Sequence, residues 1–429
     1  MSDREVVITG MGLVTPLGKN VEENWDNIKA LKCGINHYPE EGLPENFQYY
    51  GKVTQFEIPD NVPPKLLNQV KFLNRGSLLG FRSAQEAASQ SRMDLSNVPP
   101  NRRALYIASG DFTKLDHKFM YPATKDGTNG KWNEIDFEKL NKSTLNKVNP
   151  FFLLESIKNN LFSFLSAYFE FMGPNTSLAS LSPCGLNALE LAHRSIRQNK
   201  ADIALVVGYG NWITEIPRYE IEGLGMLSKG KYGVRSFRPF DRNRDGFLPG
   251  EGGGAIFLES LETAKQRDAE IFGSIGNFGN CFELPTSGAM SVSSNVIKRS
   301  VQVALEEADC DINDLAFINL HGSGTKKWDR AELKSIAEVL GNKKTELPLC
   351  GLKPYTGHIG AASDIAEIII GIEAATNGII PGTLNFNKAE KEFSEMRISS
   401  AHQRCGKKYF LSISYGIGGQ STSVIVKAA

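Results

Sequence analysis

Val6-Val7-Ile8-Thr9-Gly10-Met11-Gly12 is a short β-branched run that ends at glycines. Runs of the same character recur at Ala104 to Ser109, Ile203 to Gly208, Gly254 to Leu258, Ala316 to Leu320 and Thr422 to Val426. They are nearly continuous in apolar residues rather than alternating, which is the pattern of strands buried on both faces. Helical spacing fills the intervals, as at Ser83 to Ser91, Leu186 to Arg197, Val296 to Ala308 and Asp329 to Leu340. Strands alternating with helices predict an α/β sandwich built around mostly parallel sheets.

The chain of 429 residues, 41% of them hydrophobic, is long enough for one large domain or two packed ones. Lysine plus arginine and aspartate plus glutamate balance at 48 each, which argues against a strongly basic nucleic-acid binder. Mean hydropathy is −0.25, and no apolar run reaches the roughly 18 residues of a membrane span. Met1 to Glu5 lead straight into a strand with no signal peptide, so a cytoplasmic protein is expected. The six cysteines are scattered without CxxC or zinc-ligand spacing, so they are expected to be reduced, and one or two at most to do chemistry.

Two stretches read as long connections. Residues 113–148 are rich in lysine, asparagine and glycine with weak periodicity, as in a surface excursion. Residues 228–253, SKGKYGVRSFRPFDRNRDGFLPGEGG, read as an ordered functional loop. A second αβ series begins after Thr263 and divides the chain into halves 1–264 and 265–429.

Four stretches carry residue types suited to chemistry. In Ser180-Leu181-Ser182-Pro183-Cys184-Gly185-Leu186, apolar positions 186, 189, 192 and 196 start a helix close to Cys184. The unpaired N–H groups and partial positive charge of a helix N-terminus stabilise a thiolate. A small buried cysteine at a helix start fits this context equally well. In Phe317-Ile318-Asn319-Leu320-His321-Gly322-Ser323-Gly324-Thr325, a histidine ends an apolar strand, where α/β folds place ligands, although a structural histidine fits too. Gly351 to Ala362 (GLKPYTGHIGAA) sets Lys353 and His358 in a glycine-rich turn before another helix; a solvated loop lysine is the bland alternative. Ser414-Tyr415-Gly416-Ile417-Gly418-Gly419-Gln420 is a glycine turn whose N–H groups suit an oxyanion hole, or serve only a tight hairpin.

These four stretches, with VVITGMGLVTPLG at 6–18 and RPFDRNRDGFLPGEGGGAIFLE at 238–259, resemble the elongating β-ketoacyl-acyl-carrier-protein synthases of the thiolase superfamily over essentially the whole chain. The resemblance implies a thiolase-like α/β fold of five layers, α-β-α-β-α, from two similar halves, in a homodimer or a heterodimer with a related subunit. It implies decarboxylative condensation of malonyl-carrier protein with a cysteine-bound acyl chain. Cys184 would be the nucleophile, and the N–H groups of Cys184 and Ile417 the oxyanion hole. His321 and His358 would promote decarboxylation, and Lys353 with Glu367 would organise that pair. Asp329 matches an acidic position behind His321, and Ser323 and Thr325 match hydroxyls that bind the pantetheine arm. The partner is acyl carrier protein, whose phosphopantetheine supplies the thioester, so no metal or diffusible cofactor is needed.

The C-terminal turn has no cysteine, unlike a thiolase, and His358 stands where a chain-initiating synthase has asparagine. Retention of Cys184 separates the chain from a chain-length factor. Ile417 stands where phenylalanine usually gates the acyl pocket, Pro183 precedes the cysteine, and Asp111 falls in a stretch that usually lines the acyl tunnel. These departures point to a specialised substrate: an unusual fatty acid, a polyene or a polyketide. Lys71 and Arg75 on an early helix are candidates to dock an acidic carrier. A non-elongating partner subunit and a cysteine transacylase or thioesterase are the competing readings.

Overall fold

The structure, a computed structural model, describes residues 4–57, 62–110, 117–152, 159–284 and 293–429. Its main sheet has ten strands: β1 (Val6–Val14), β2 (Arg103–Ser109), β3 (Asn175–Ala179), β4 (Ile203–Asn211), β5 (Glu251–Ser260), β6 (Gly273–Phe282), β7 (Leu315–Asn319), β8 (Leu349–Cys350), β9 (Tyr409–Gly416) and β10 (Gln420–Ala428). The spatial order is β8-β7-β9-β10-β6-β1-β5-β4-β2-β3. Cut between β6 and β1, it gives two five-stranded units of one topology. In the first, β1–β5 and β5–β4 are antiparallel, and β4–β2 and β2–β3 parallel. In the second, β6–β10 and β10–β9 are antiparallel, and β9–β7 and β7–β8 parallel. Strand pairing between the units runs through Val7 with Ser274 and Ile8 with Gly273.

Each unit places helices at matching points. α1 (Arg75–Ser91) packs on β1 and β5, followed by α2 (His117–Gly127), α3 (Phe137–Lys147), α4 (Asn160–Phe169) and α5 (Cys184–Arg197). In the second unit α6 (Ser294–Glu307) packs on β6 and β10, followed by α7 (Lys326–Leu340) and α8 (Ala361–Asn377). The packing of α1 and α6 repeats in detail. A Cβ on Gly12 would meet the Ser83 carbonyl oxygen of α1 at 2.0 Å, and one on Gly279 the Ser300 oxygen of α6 at 1.9 Å. Strand and helix backbones touch at both places, and only glycine permits that approach.

α5 and α8 form the central layer and pack on each other. α8 contacts β4 and β5 of the first unit and β9 and β10 of the second. Fourteen of its 17 residues are buried, so it is apolar on nearly every face, as a helix sandwiched between sheets must be. The result is the expected five-layered arrangement.

Residues 117–147 contain more structure than their weak periodicity predicts. Asp136 caps α3 by accepting from Lys139 N–H at 3.1 Å, and Ser143 Oγ and Lys147 Nζ both reach Asp126 of α2, at 2.6 and 2.5 Å. The pairing of α2 and α3 is therefore partly polar, which hides it from a search for apolar stripes. The 228–253 loop is pinned to the second unit by Gly246 N–H to Gly324 O at 2.9 Å and by the buried Arg244.

Gly12→Ala should cost at least about 1–3 kcal/mol, because the methyl group can be accommodated only by lifting α1 off β1. Guanidinium unfolding of the variant against the wild-type chain measures it.

Candidate functional site

The duplicated topology brings two helix starts together. Cys184 is the first residue of α5 and is buried; His358 lies three residues before α8, and His321 follows β7. The imidazole centroids of His321 and His358 are 5.8 Å apart. They line a cavity of about 20 Å³, room for about one water, with Ser182, Met226, Phe247 and Ile417. Larger clefts of about 410 and 510 Å³ lie elsewhere, one beside α1 and one between α2 and α3; neither holds any of these residues. Gly416 presses against the Cys184 turn so closely that a Cβ would fall 1.7 Å from the Ser182 oxygen.

Hydrogen bonds decide the state of both rings. The Lys353 ammonium donates to the His321 carbonyl at 2.7 Å and to Glu367 Oε1 at 2.7 Å, and stands 3.3 Å from His321 Nδ1. An ammonium has no acceptor, so Nδ1 offers its lone pair and the ring proton sits on Nε2. His358 Nδ1 accepts from Gly360 N–H at 3.2 Å, which places its proton on Nε2 as well. Burial, and then the Lys353 charge, hold both histidines well below the usual imidazole range. Both rings are therefore neutral Nε2–H donors. Burial lifts the Glu367 carboxyl to about 7 against the pull of Lys353. Trp212 stacks on His358 at 4.5 Å, and Tyr415 covers His321 at 4.6 Å.

Behind His321, Glu332 accepts the N–H groups of His321 at 2.6 Å and Gly322 at 3.0 Å. Asp329 accepts from Phe240 N–H (2.8 Å), Ser323 Oγ (2.8 Å) and Gly324 N–H (3.0 Å), with the fully buried Arg244 at 3.4 Å. Asp329 thus fastens the 238–246 loop to the strand end that carries His321. Tyr415 Oη lies near Ser323 but outside hydrogen-bond geometry.

Several of the expected positions have partners within the protein. Ser323 Oγ donates to Asp329 and also receives Thr325 N–H at 3.1 Å, while Thr325 Oγ1 caps α7 by accepting from Trp328 N–H at 3.3 Å. Both hydroxyls are engaged within the protein. No partner for the Ile417 N–H is found among the described residues, but the Cys184 N–H is directed to the Leu181 oxygen at 3.1 Å. Arg75 is not free for docking: it holds the buried Glu251 through two bonds of 2.6 Å each. Lys71 remains exposed. Asp111 lies outside the described residues.

Sequence reading passed over Trp212, Phe247, Arg244, Glu332 and Asp364. Asp364 was the most accessible of these, because it stands three residues before Glu367 and shares its helix face.

A duplicated α-β-α-β-α sandwich with a cysteine and two histidines at the ends of its central layer is the architecture of thiolase-like condensing enzymes. The family described as "Beta-ketoacyl synthase, N-terminal domain" matches residues 3–264, and "Beta-ketoacyl synthase, C-terminal domain" matches residues 273–387. The chain belongs to the β-ketoacyl synthase family. It is 26% identical over 427 residues to the 3-oxoacyl-(acyl-carrier-protein) synthase 2 of Staphylococcus aureus, covering 99% of this chain and 98% of that protein. It is 25% identical over 435 residues to a putative polyketide beta-ketoacyl synthase 1 of Streptomyces cyaneus, with 99% and 98% covered. Among solved structures, the ishigamide ketosynthase/chain length factor superposes with a TM-score of 0.85 at 21% identity over 100% of both chains. A beta-ketoacyl synthase from Burkholderia phymatum gives 0.84 at 23%, over 99% and 100%. The chain is a condensing enzyme of the acyltransferase class. Among the described residues, no helix is long and apolar enough to cross a membrane.

Ring-nitrogen NMR shifts should show His321 and His358 neutral throughout the pH 5.5–7.5 window in which an exposed imidazole titrates. Because the unfolded rings take up protons near about 6.5 and the folded rings only at lower pH, their contribution to stability is complete above that value. It should shrink as pH falls below it, which unfolding midpoints measured across the same window will show.

Proposed function

We propose that the chain is an elongating β-ketoacyl-carrier-protein synthase of the cytoplasm, acting on specialised acyl chains. It would receive its substrates from acyl carrier protein and work as a homodimer or with a related subunit. We take its halves to meet at residues 264 and 265. The observation that carries the reading is the pair of neutral Nε2–H donors beside the Cys184 turn.

In the first half-reaction the Cys184 sulfur attacks the carrier's acyl thioester. The C–S bond to pantetheine breaks, and the cysteine proton ends on the departing thiol. The Ile417 N–H supports the oxyanion, and the Cys184 N–H joins only as a shared donor, since Leu181 already accepts from it. In the second, malonyl-carrier protein loses carbon dioxide. Its electron pair moves onto the thioester oxygen, where His321 and His358 donate from Nε2. The enolate carbon attacks the acyl-cysteine, the S–acyl bond breaks, and the sulfur recovers a proton from solvent. Neutral donors suit this step, because an imidazolium would carry a full charge into a closed, dry site. Ser323 and Thr325 could take up pantetheine only through their remaining lone pairs. The thioester arrives on phosphopantetheine, so no metal or diffusible cofactor is required.

Met226, flexible and polarizable, and Ile417 at the glycine turn line the cavity of about 20 Å³ beside the two histidines. The engaged Cys184 N–H favours one competitor, a partner subunit that shapes another synthase's pocket.

Mass spectrometry after mixing with acyl- and malonyl-carrier protein separates the readings. The acyl adduct should map to Cys184 and vanish in Cys184→Ala. His358→Ala should keep the adduct and lose decarboxylation by about 100- to 1,000-fold. Absence of any adduct, with or without a co-purified partner, rejects elongation, and hydrolysis without ketoacyl product favours a thioesterase. Across chain lengths, best use of ordinary saturated acyl groups would reject the specialised substrate.

A further inference from the structure

The N-terminus of the helix that carries Cys184 is already filled. The first turn of an α-helix leaves N–H groups unpaired, and these are what would hold a thiolate. In α5 the Cys184 and Gly185 N–H groups have acceptors, and the Asn187 N–H makes the first ordinary bond of the helix. The Cys184 N–H points to Leu181 O at 3.1 Å, and the Asn187 N–H to Pro183 O at 3.0 Å. The Gly185 N–H is bound by Asp364 Oδ2 at 2.9 Å. Burial raises the Asp364 carboxyl above its ordinary range, and Lys353, Ser414 and the Gly185 and Leu186 N–H groups pull it back toward ionisation, the Leu186 N–H from outside full hydrogen-bond geometry. Ser414 of β9 donates its hydroxyl to Asp364 Oδ1 at 2.7 Å.

The fit is built on both sides. A Cβ on Gly185 would stand 2.7 Å from Asp364 Cβ and 2.5 Å from the Ala361 oxygen. Only a glycine after the cysteine lets α8 approach closely enough for its carboxylate to cap α5. Asp364 is fully buried and receives from α5 and β9 at once, so its position is set by three elements.

We infer that Asp364 is a positioning residue whose carboxylate occupies the anion site at the start of α5 and so keeps Cys184 a thiol until substrate arrives. The charge on the cap and a charge on the sulfur would share one helix end, and like charges there oppose each other. The other groups facing this corner are Lys353 on the 351–360 turn, Glu367 one turn along α8, and the neutral His321 and His358. Lys353 is already held by Glu367 and the His321 carbonyl. On α5 itself the nearest acidic side chain, Glu190, is paired with Arg194 at 2.6 Å. The inference deepens the proposed role of Cys184 and rests on it for its biological meaning, but its readout does not depend on condensation.

The test is the iodoacetamide labelling rate of Cys184 between pH 5.5 and 10, followed by peptide mass spectrometry to separate it from the other five cysteines. Wild-type labelling should still climb steeply above about pH 8.5, where an ordinary cysteine levels off. In Asp364→Asn, which keeps an oxygen for Gly185 and removes the charge, labelling at pH 7 relative to its high-pH plateau should rise about tenfold. Asp364→Ser, smaller and also uncharged, should move the same way, and the plateau corrects for altered access. Identical normalised profiles in wild type and a folded variant overturn the inference. So does a wild-type profile that levels off below pH 8.5, which decides the matter even if neither variant folds. Acyl transfer to Cys184 is scored separately, so failure of the catalytic reading leaves a distinct signature.

Discussion

A buried ammonium organises this site. Lys353 and Glu367 meet at 2.7 Å with side chains 1% and 3% exposed. Removing two charges from water costs several kcal/mol each, and their attraction offsets this only if the remaining donors and acceptors are satisfied. The spare Lys353 protons go to the His321 carbonyl and Nδ1, so the same ammonium anchors the end of β7 and selects a tautomer, while Glu367 Oε2 is buried outside hydrogen-bond geometry. Lose either charge and the other is stranded, which is typically worth about 3–5 kcal/mol of stability. The ion pair, the orientation of His321 and the docking of α8 are therefore one structural commitment rather than three.

The duplicated fold explains why that commitment and the cysteine meet. Each unit sends its last-named helix, α5 or α8, into the shared central layer, and the pseudo-symmetry sets their N-termini close together. Cys184 opens one helix, and Gly360 caps the other while fixing His358 through its N–H. Gly12 and Gly279, with the same contact at equivalent places, hold the outer helices tightly against their strands. Chemistry from two halves is thus assembled by packing, not by loop length.

Much of this was legible in the sequence, for identifiable reasons. The strands that the apolar runs predicted (β1, β2, β4, β5, β7 and β10) are buried on both faces and carry few polar letters. β6, written GSIGNFGNCF, was passed over because its glycines and asparagines serve backbone contact with α6 and hydrogen bonds to α5, which depress its apolar content. β3 escaped notice because NTSLA is a partly exposed edge strand. Within the site, His321, His358 and Lys353 stood in glycine-marked stretches, and Glu367 came only from the family resemblance. Arg244, Glu332 and Trp212 act across long separations, and one-dimensional spacing carries no trace of such partners. Arg75 shows the converse error: a cation on a helix reads as available surface charge until its buried partner, 176 residues away, is seen.

The surroundings of Cys184 sharpen what kind of site this is. Both imidazoles are neutral, the Lys353 ammonium is matched by Glu367, and a carboxylate takes the Gly185 N–H at the start of the helix that carries Cys184. A cysteine protease uses the opposite design, pairing its sulfur with a cationic histidine so that the thiolate stands ready. Such a thiolate would be at risk in a chamber that must wait for two successive carrier-borne substrates. A condensing site needs the sulfur to attack only once an acyl thioester is seated, when the departing pantetheine thiol can take the proton. The fit of Gly185 against Asp364 connects that restraint to the fold. Position 185 admits no Cβ, which would stand 2.5 Å from the Ala361 oxygen and 2.7 Å from Asp364 Cβ, so the approach that lets Asp364 reach the Gly185 N–H requires glycine after the cysteine.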